Sequence, residues 1–153
     1  MNLHRDVGIL RGAPLLQDLA EEQLQLLAFN CGHRSFRAGQ YLFRKDESAM
    51  SAFVIVSGEV EVLEEDEAEQ SGGRFGAGTV LDEFAMIVRA PRPASARALS
   101  GVEAMEIPRT VLHRVLEEFP DTAERMRAAI AARLGALVQD MKTIQARFED
   151  EEA

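Results

Sequence analysis

From Arg34 to Ile107 the apolar residues of this chain follow the two-residue period of strands, in short runs broken by turn residues. The runs are Tyr41-Leu42-Phe43, Phe53-Val54-Ile55-Val56 and Val60-Glu61-Val62, punctuated by Gly39 and by Ser57-Gly58. A second group, Ala94 to Leu99 and Val102 to Ile107, is joined through Ser100-Gly101 as a tight turn. Strands this short, separated by turns, predict a small barrel or roll. Pro108 then stands where a helix can begin, because the first turn does not need its missing N–H.

The flanks carry a helical period instead. Asp18-Leu19-Ala20-Glu21 has the form of a capping box and opens an amphipathic run through Leu24, Leu27 and Ala28. After Phe119-Pro120 a second such box, Asp121-Thr122-Ala123-Glu124, starts a helix that meets no further proline and is expected to reach about Phe148. Its apolar residues form two rows with a spacing of seven, Ile130, Leu137 and Ile144 in one and Leu134, Met141 and Phe148 in the other. A β-branched residue in one row with Leu or Met in the other suits a two-stranded parallel coiled coil, so these six residues are the candidate dimer interface. The alternative is a helix lying on its own domain, and Gly135 weakens the helix. No repeat and no Pro/Ser/Gly-rich linker divides the chain. The expected organisation is a roll with flanking helices over 1–120 and a long helix with an acidic tail over 121–153.

Composition narrows the function classes. With 153 residues, 46% of them hydrophobic, there is room for about one domain. The longest apolar stretch, Ala52 to Val56, is far below the roughly 18 residues of a membrane span, and the N-terminus opens no signal peptide, so a cytoplasmic protein without membrane contact is expected. The formal charge of −9 resides in two runs, Glu64-Glu65-Asp66-Glu67 with Glu69, and Glu149 to Glu152. They read as a solvated hairpin tip and a frayed tail, with an acidic docking site as the alternative. No Lys/Arg cluster offers a nucleic-acid footprint, so DNA is not an expected partner. Cys31, the single cysteine, supplies neither an internal disulfide nor a metal site and reads as a small buried hydrophobe. His4, His33 and His113 lack metal-ligand spacing. No catalytic constellation is visible, and no cofactor or metal is expected.

The order of several short motifs carries a resemblance. Phe36-Arg37-Ala38-Gly39, followed by Phe53 through Val60, resembles the opening half of the cyclic-nucleotide-binding domain of the catabolite-activator type. Phe75-Gly76-Ala77-Gly78, then Leu81-Asp82-Glu83-Phe84-Ala85-Met86 with Pro91-Arg92-Pro93-Ala94-Ser95, is similar to that family's phosphate-binding cassette. Ile107-Pro108-Arg109 and the two following helices look like its usual ending, so the resemblance runs from about Ile9 to Phe148. It implies a mostly β fold with flanking helices: a double-stranded, jelly-roll-like β-roll of eight strands, a short helix inside it, an N-terminal helix and a long C-terminal dimerisation helix.

The resemblance also implies a ligand, cyclic AMP or cyclic GMP, held by Asp82, Glu83, Phe84, Ala85, Arg92, Pro93, Ala94 and Ser95. A short helix beginning near Asp82 would offer backbone N–H groups to the cyclic phosphate. Arg92 would set a planar guanidinium against its oxygens, and by similarity Glu83 would accept the ribose 2′-hydroxyl. The alternative is that Glu83 and Arg92 form an ion pair across a retained roll. Two residues depart from the pattern. Asp82 stands where the family has Gly, placing a carboxylate beside the expected phosphate, and Pro93 stands where a small residue donates its backbone N–H. Together they would weaken binding by on the order of 10²–10⁴-fold, unless Asp82 caps the short helix and turns away. On the long helix, Leu137-Val138 stands where some members offer a hydroxyl to the purine.

The expected function is therefore a non-enzymatic regulatory or sensor module without a DNA-reading domain, a homodimer acting on a protein partner. The alternatives are a ligand-free interaction module that keeps the roll only, and a regulatory piece of a larger channel, kinase or transferase.

Overall fold

A computed structural model of the chain describes residues 2–64 and 73–152, without the side chains at positions 137, 138, 140 and 143–152. Glu65, Asp66, Glu67 and Glu69 of the first acidic run therefore lie outside the described residues, as do the side chains of Leu137, Val138, Ile144 and Phe148.

Among the described residues eight strands form two four-stranded antiparallel sheets. The first has the order β1 (Gly32–Phe36), β8 (Val102–Pro108), β3 (Ser51–Ser57), β6 (Val80–Leu81); the second has β2 (Tyr41–Phe43), β7 (Ser95–Ala98), β4 (Val60–Leu63), β5 (Gly73–Phe75). This is the predicted roll. Strand β3 shows why its sequence reads as a nearly continuous apolar run: both faces are covered. Ala52 and Val54 face a core built with the helices, together with Leu10, Leu16, Leu24, Leu27, Met105, Ile107 and Leu112. Phe53 and Ile55, on the alternate face, meet Phe36, Leu42, Phe43, Val60, Leu81, Ala96 and Ala104 inside the roll. Register in the second sheet is fixed in part by a cross-strand pair, Glu61 opposite Arg97, whose side chains meet at 2.6 Å.

One turn has a strict glycine requirement. Gly58, between β3 and β4, has φ +93°, and a Cβ there would lie 2.3 Å from the carbonyl oxygen of Gly101 in the β7–β8 turn. The two turns therefore touch backbone to backbone.

The helices differ from expectation at their starts. Helix α1 (Leu3–Arg11), which the strand and capping patterns do not predict, is capped by Asn2, whose Oδ1 accepts the Arg5 N–H at 3.0 Å. Burial of Leu15, Leu16 and Leu19 draws the next stretch into a 3-10 turn at Pro14–Leu16, so α2 (Glu21–Asn30) opens after Ala20 and not at Asp18. Gln23, not Glu21, reaches back to the Ala20 N–H at 2.9 Å. The second expected box also fails to form. Helix α3 spans Arg109–Glu118, and α4 spans Pro120–Glu152, with the proline at the first helical position. Thr122 turns inward from α4, is 2% exposed and shares hydrogen bonds with Gln23 of α2. The terminal acidic residues Glu149 to Glu152, expected to fray, continue this helix. Among the described residues no helix is long and apolar enough to cross a membrane.

Candidate functional site

Between β6 and β7 the chain makes one 3-10 turn, Glu83–Met86, and then an arm that ends at Ser95. Two layers hold this segment. Met86 is fully buried in the helix-side core, and the arm is stapled to the β2–β3 loop by backbone hydrogen bonds on both sides of Arg92: Asp46 N–H donates to the Arg92 carbonyl at 2.9 Å, and Arg92 N–H donates to the Glu47 carbonyl at 2.7 Å. The Ser95 hydroxyl accepts the Lys45 N–H at 2.8 Å. Arg92 is thus fixed in the roll by backbone before its side chain makes any contact.

The Arg92 side chain runs into the roll. The residue is 5% exposed, and its guanidinium lies 4.3 Å from the centre of the Phe43 ring and 5.7 Å from that of Phe53. Nη1 donates to the Ser51 carbonyl at 2.6 Å and to Asp82 Oδ2 at 3.0 Å. A buried cation needs such partners, since an unpaired charge in this apolar setting costs several kcal/mol or more. Among the described residues, every buried side-chain nitrogen and oxygen has a hydrogen-bond partner.

Asp82 bears on the site in two ways. It is one of two described non-glycine residues with positive φ, at φ 53° and ψ 57°, a conformation Gly adopts without steric cost and Asp tolerates better than most residues. Its side chain makes no cap to the 3-10 turn and reaches Arg92 instead. The possibility of Asp82 as a helix cap is thereby removed, and the ion pair across the cassette is Asp82–Arg92, not Glu83–Arg92.

Glu83 points the other way. Its Oε1 accepts the N–H of Leu15, in the N-terminal 3-10 turn, at 3.0 Å and lies 3.7 Å from Arg133 of α4. The structure thus brings Asp82 and Arg92 together and separates Glu83 from them. Phe84 is 44% exposed, Ala85 is buried, Pro93 is exposed and Ala94 half-buried. The residues sequence reasoning missed are Phe43 and Phe53, whose rings lie beside the cation, Ser51, which supplies a carbonyl, and Leu15 and Arg133, which contact Glu83. Phe53 and Phe43 were visible as strand residues; no local signal marks the other three.

Of the six candidate interface residues, Ile130 packs against the chain's own helix-side core, whereas Leu134 and Met141 are 51% and 61% exposed. Cys31 is buried at the end of α2, and burial, with the nearby Asp6 carboxylate adding to it, pushes its thiol up to about 12. His33 hydrogen-bonds through Nε2 to the fully buried Asp6 at 2.8 Å, which ties β1 to α1. Among the described residues no group of three His, Cys, Asp or Glu side chains could hold a metal ion.

The geometry can be set beside known proteins. Residues 33–119 match the family model for the cyclic nucleotide-binding domain. The cyclic nucleotide-binding-like protein of Brucella abortus is 36% identical, with a TM-score of 0.68, over 73% of this chain and 97% of that one. The N-terminal domain of a transcriptional regulator from Streptomyces coelicolor shares the fold, with a TM-score of 0.78 at 23% identity over 87% of this chain and 94% of that one. A cGMP-dependent protein kinase of Caenorhabditis briggsae is 33% identical over 103 residues, which make up 67% of this chain and 13% of the kinase. The chain spans about a tenth of the length of such curated relatives, so what it shares with the enzymes among them is this one domain. With its two-sheet roll, its inward arginine and a family match over more than half its length, the chain belongs to the cyclic nucleotide-binding domain family.

Proposed function

We propose that this domain is a non-catalytic regulatory module that binds a cyclic mononucleotide, cyclic AMP or cyclic GMP, only weakly, and that it acts as a homodimer on a protein partner. The observation that carries the reading is the pair at 3.0 Å between Arg92 and Asp82. The cation that resembles the family's phosphate-binding arginine already holds an anion from its own chain. An incoming cyclic phosphate is a monoanion like the carboxylate it displaces, so the exchange gains little Coulomb energy. Pro93 has no N–H to add to it. The arithmetic of two lost charge-assisted hydrogen bonds, each worth roughly 1.5–3 kcal/mol, turns a micromolar site into a millimolar one.

Assembly rests on α4. At about 1.5 Å per residue its 33 residues extend roughly 50 Å, and they present Leu134 and Met141 to solvent seven residues apart. A formal charge of −9 favours a protein partner over a nucleic acid. A second reading, a ligand-free interaction module, is favoured by the internal satisfaction of the site's buried polar atoms.

Titration of the isotopically labelled chain with cyclic AMP and cyclic GMP to several millimolar separates the two. The sensor reading expects saturable shifts of the Arg92 and Ala94 amides, lost in Arg92→Ala. No saturable shift with either nucleotide leaves the interaction module.

A further inference from the structure

Outside the roll, four elements meet at the surface. Val88 lies one turn beyond Phe84 on the segment after β6, and its N–H donates to the Phe84 carbonyl at 2.9 Å. Arg109, the first residue of α3, joins this segment to the β2–β3 loop. Its N–H donates to the Met50 carbonyl at 3.0 Å, its Nη1 to the carbonyls of Ala49 at 3.0 Å and Val88 at 3.4 Å, and its Nη2 lies 4.0 Å from Met50 Sδ. At the other end the Arg133 guanidinium of α4 lies 5.9 Å from the centre of the Phe84 ring. Met50, Val88 and Phe84 are thus held in one strip, and they are 54%, 51% and 44% exposed. Single exposed apolar residues are ordinary, whereas several held side by side mark a contact surface.

Three arginines border the strip. Arg133 lies 3.7 Å from Glu83, but Arg89 is exposed and Arg109 donates to carbonyls, and among the described residues neither of these two meets a carboxylate. Glu47, the acidic residue nearest in sequence to Met50 on the loop, is turned to the Arg44 N–H at 2.9 Å. In a chain of net charge −9 the strip is locally cationic. We propose that it docks an acidic amphipathic segment of another protein, whose apolar side chains cover Met50, Val88 and Phe84 while its carboxylates pair with Arg89 and Arg109. The strip is then the surface for the protein partner of the proposed function, and the proposal rests on that part of the reading. An anionic bilayer fits less well: it faces the whole negatively charged molecule, whereas a peptide meets only the charges within a Debye length of about 8 Å.

The test uses two helical peptides with the same Leu/Phe face, one carrying Glu and the other Lys on its polar face. Each is titrated into the isotopically labelled full chain without nucleotide, with the Met105 amide in β8 reporting an intact fold. The Glu peptide is expected to shift the Met50, Val88 and Arg89 amides saturably and to bind more weakly as salt is raised. Arg89→Glu and Val88→Asp, both at exposed positions, are each expected to weaken it at least about fivefold, while Phe29→Ser, 65% exposed on α2, leaves it unchanged. A Lys peptide that binds as tightly, or Glu-peptide binding that survives both strip substitutions, overturns the proposal. Binding to phosphatidylserine vesicles with no Glu-peptide shift also overturns it and assigns the strip to a membrane. No Glu-peptide binding beside a saturable nucleotide titration overturns the strip and leaves the sensor reading standing. Glu-peptide binding at the strip without any nucleotide binding supports the strip on the ligand-free interaction module.

Discussion

Substitution of Asp82 separates charge from backbone shape. Asp82 and Arg92 have side chains 13% and 6% exposed, and at 3.0 Å and an effective dielectric of about 20 their attraction is about 5 kcal/mol before desolvation is subtracted. Asp82→Asn keeps a neutral acceptor and a side chain that tolerates φ 53°, so it exchanges a charge-assisted hydrogen bond for an ordinary one and is expected to cost about 1–2 kcal/mol. Asp82→Ala leaves Arg92 with the Ser51 carbonyl and two ring faces and keeps a Cβ in the left-handed region, for a cost of about 3–4 kcal/mol. Asp82→Gly loses the same charge but removes the Cβ penalty, which recovers about 1 kcal/mol relative to Ala.

The expected order of stability is parent, Asn, Gly, Ala. Urea melts with a common slope read it directly, and in a chain of 153 residues each kcal/mol moves the thermal midpoint by about 2–4 °C. If all three variants melt within about 0.5 kcal/mol of the parent, Arg92 does not depend on Asp82 and the account of the site is wrong. If Ala proves as stable as Gly, the positive φ at position 82 is not a constraint.

Three further outcomes follow from separate parts of the molecule. Cys31, its thiol pushed up to about 12 by burial, is expected to resist a thiol reagent at pH 8 in the native protein and to react in urea. The native state holds that proton after an unfolded thiol of pKa about 8.5 has lost it, so Cys31 contributes stability below that pH and loses it as pH rises towards 12; Cys31→Ala, followed by melts from pH 8 to 10, should flatten that part of the decline. Gly58→Ala places a Cβ 2.3 Å from the Gly101 carbonyl oxygen at φ +93° and is expected to cost at least about 2 kcal/mol in a urea melt, whereas Gly78→Ala, with open space around it, should cost about 1 kcal/mol from backbone strain alone. Leu134→Asp with Met141→Asp is expected to convert a dimer to a monomer by light scattering at tens of micromolar; a parent protein that is already monomeric contradicts the coiled-coil proposal.

What was legible in the sequence was what strand period and apolar pattern determine. Phe53-Val54-Ile55-Val56 and Val102 to Ile107 read as strands because alternate residues enter two different cores, and both are central strands in the first sheet. Strands β5 and β6, of three and two residues, are too short to carry a period. The capping boxes misled for two reasons: the cap of α2 is Ala20, whose N–H Gln23 accepts, and not Asp18 with Glu21, and Thr122 faces Gln23 across a helix interface that local sequence does not encode. Helix α1 could have been read from Asn2 and the spacing of Val7 and Leu10.

The cassette was legible as residues and not as geometry. The resemblance pointed to Asp82, Glu83 and Arg92, and the charge conflict at Asp82 follows from the phosphate position that the resemblance implies. Which carboxylate would meet Arg92 depends on the left-handed backbone at Asp82 and on the Leu15 N–H behind Glu83, contacts separated by up to 68 residues in the chain. No local reading of the cassette contains them.

In the proposed reading Asp82 competes with ligand phosphate for Arg92 while Pro93 withholds a donor. Calorimetric titration of cyclic AMP and cyclic GMP into the parent and into Asp82→Gly/Pro93→Ala tests it most directly. The double variant, though less stable without ligand, is expected to bind one of the two nucleotides at least tenfold more tightly than the parent. A folded double variant whose affinity matches the parent's for both nucleotides would contradict it.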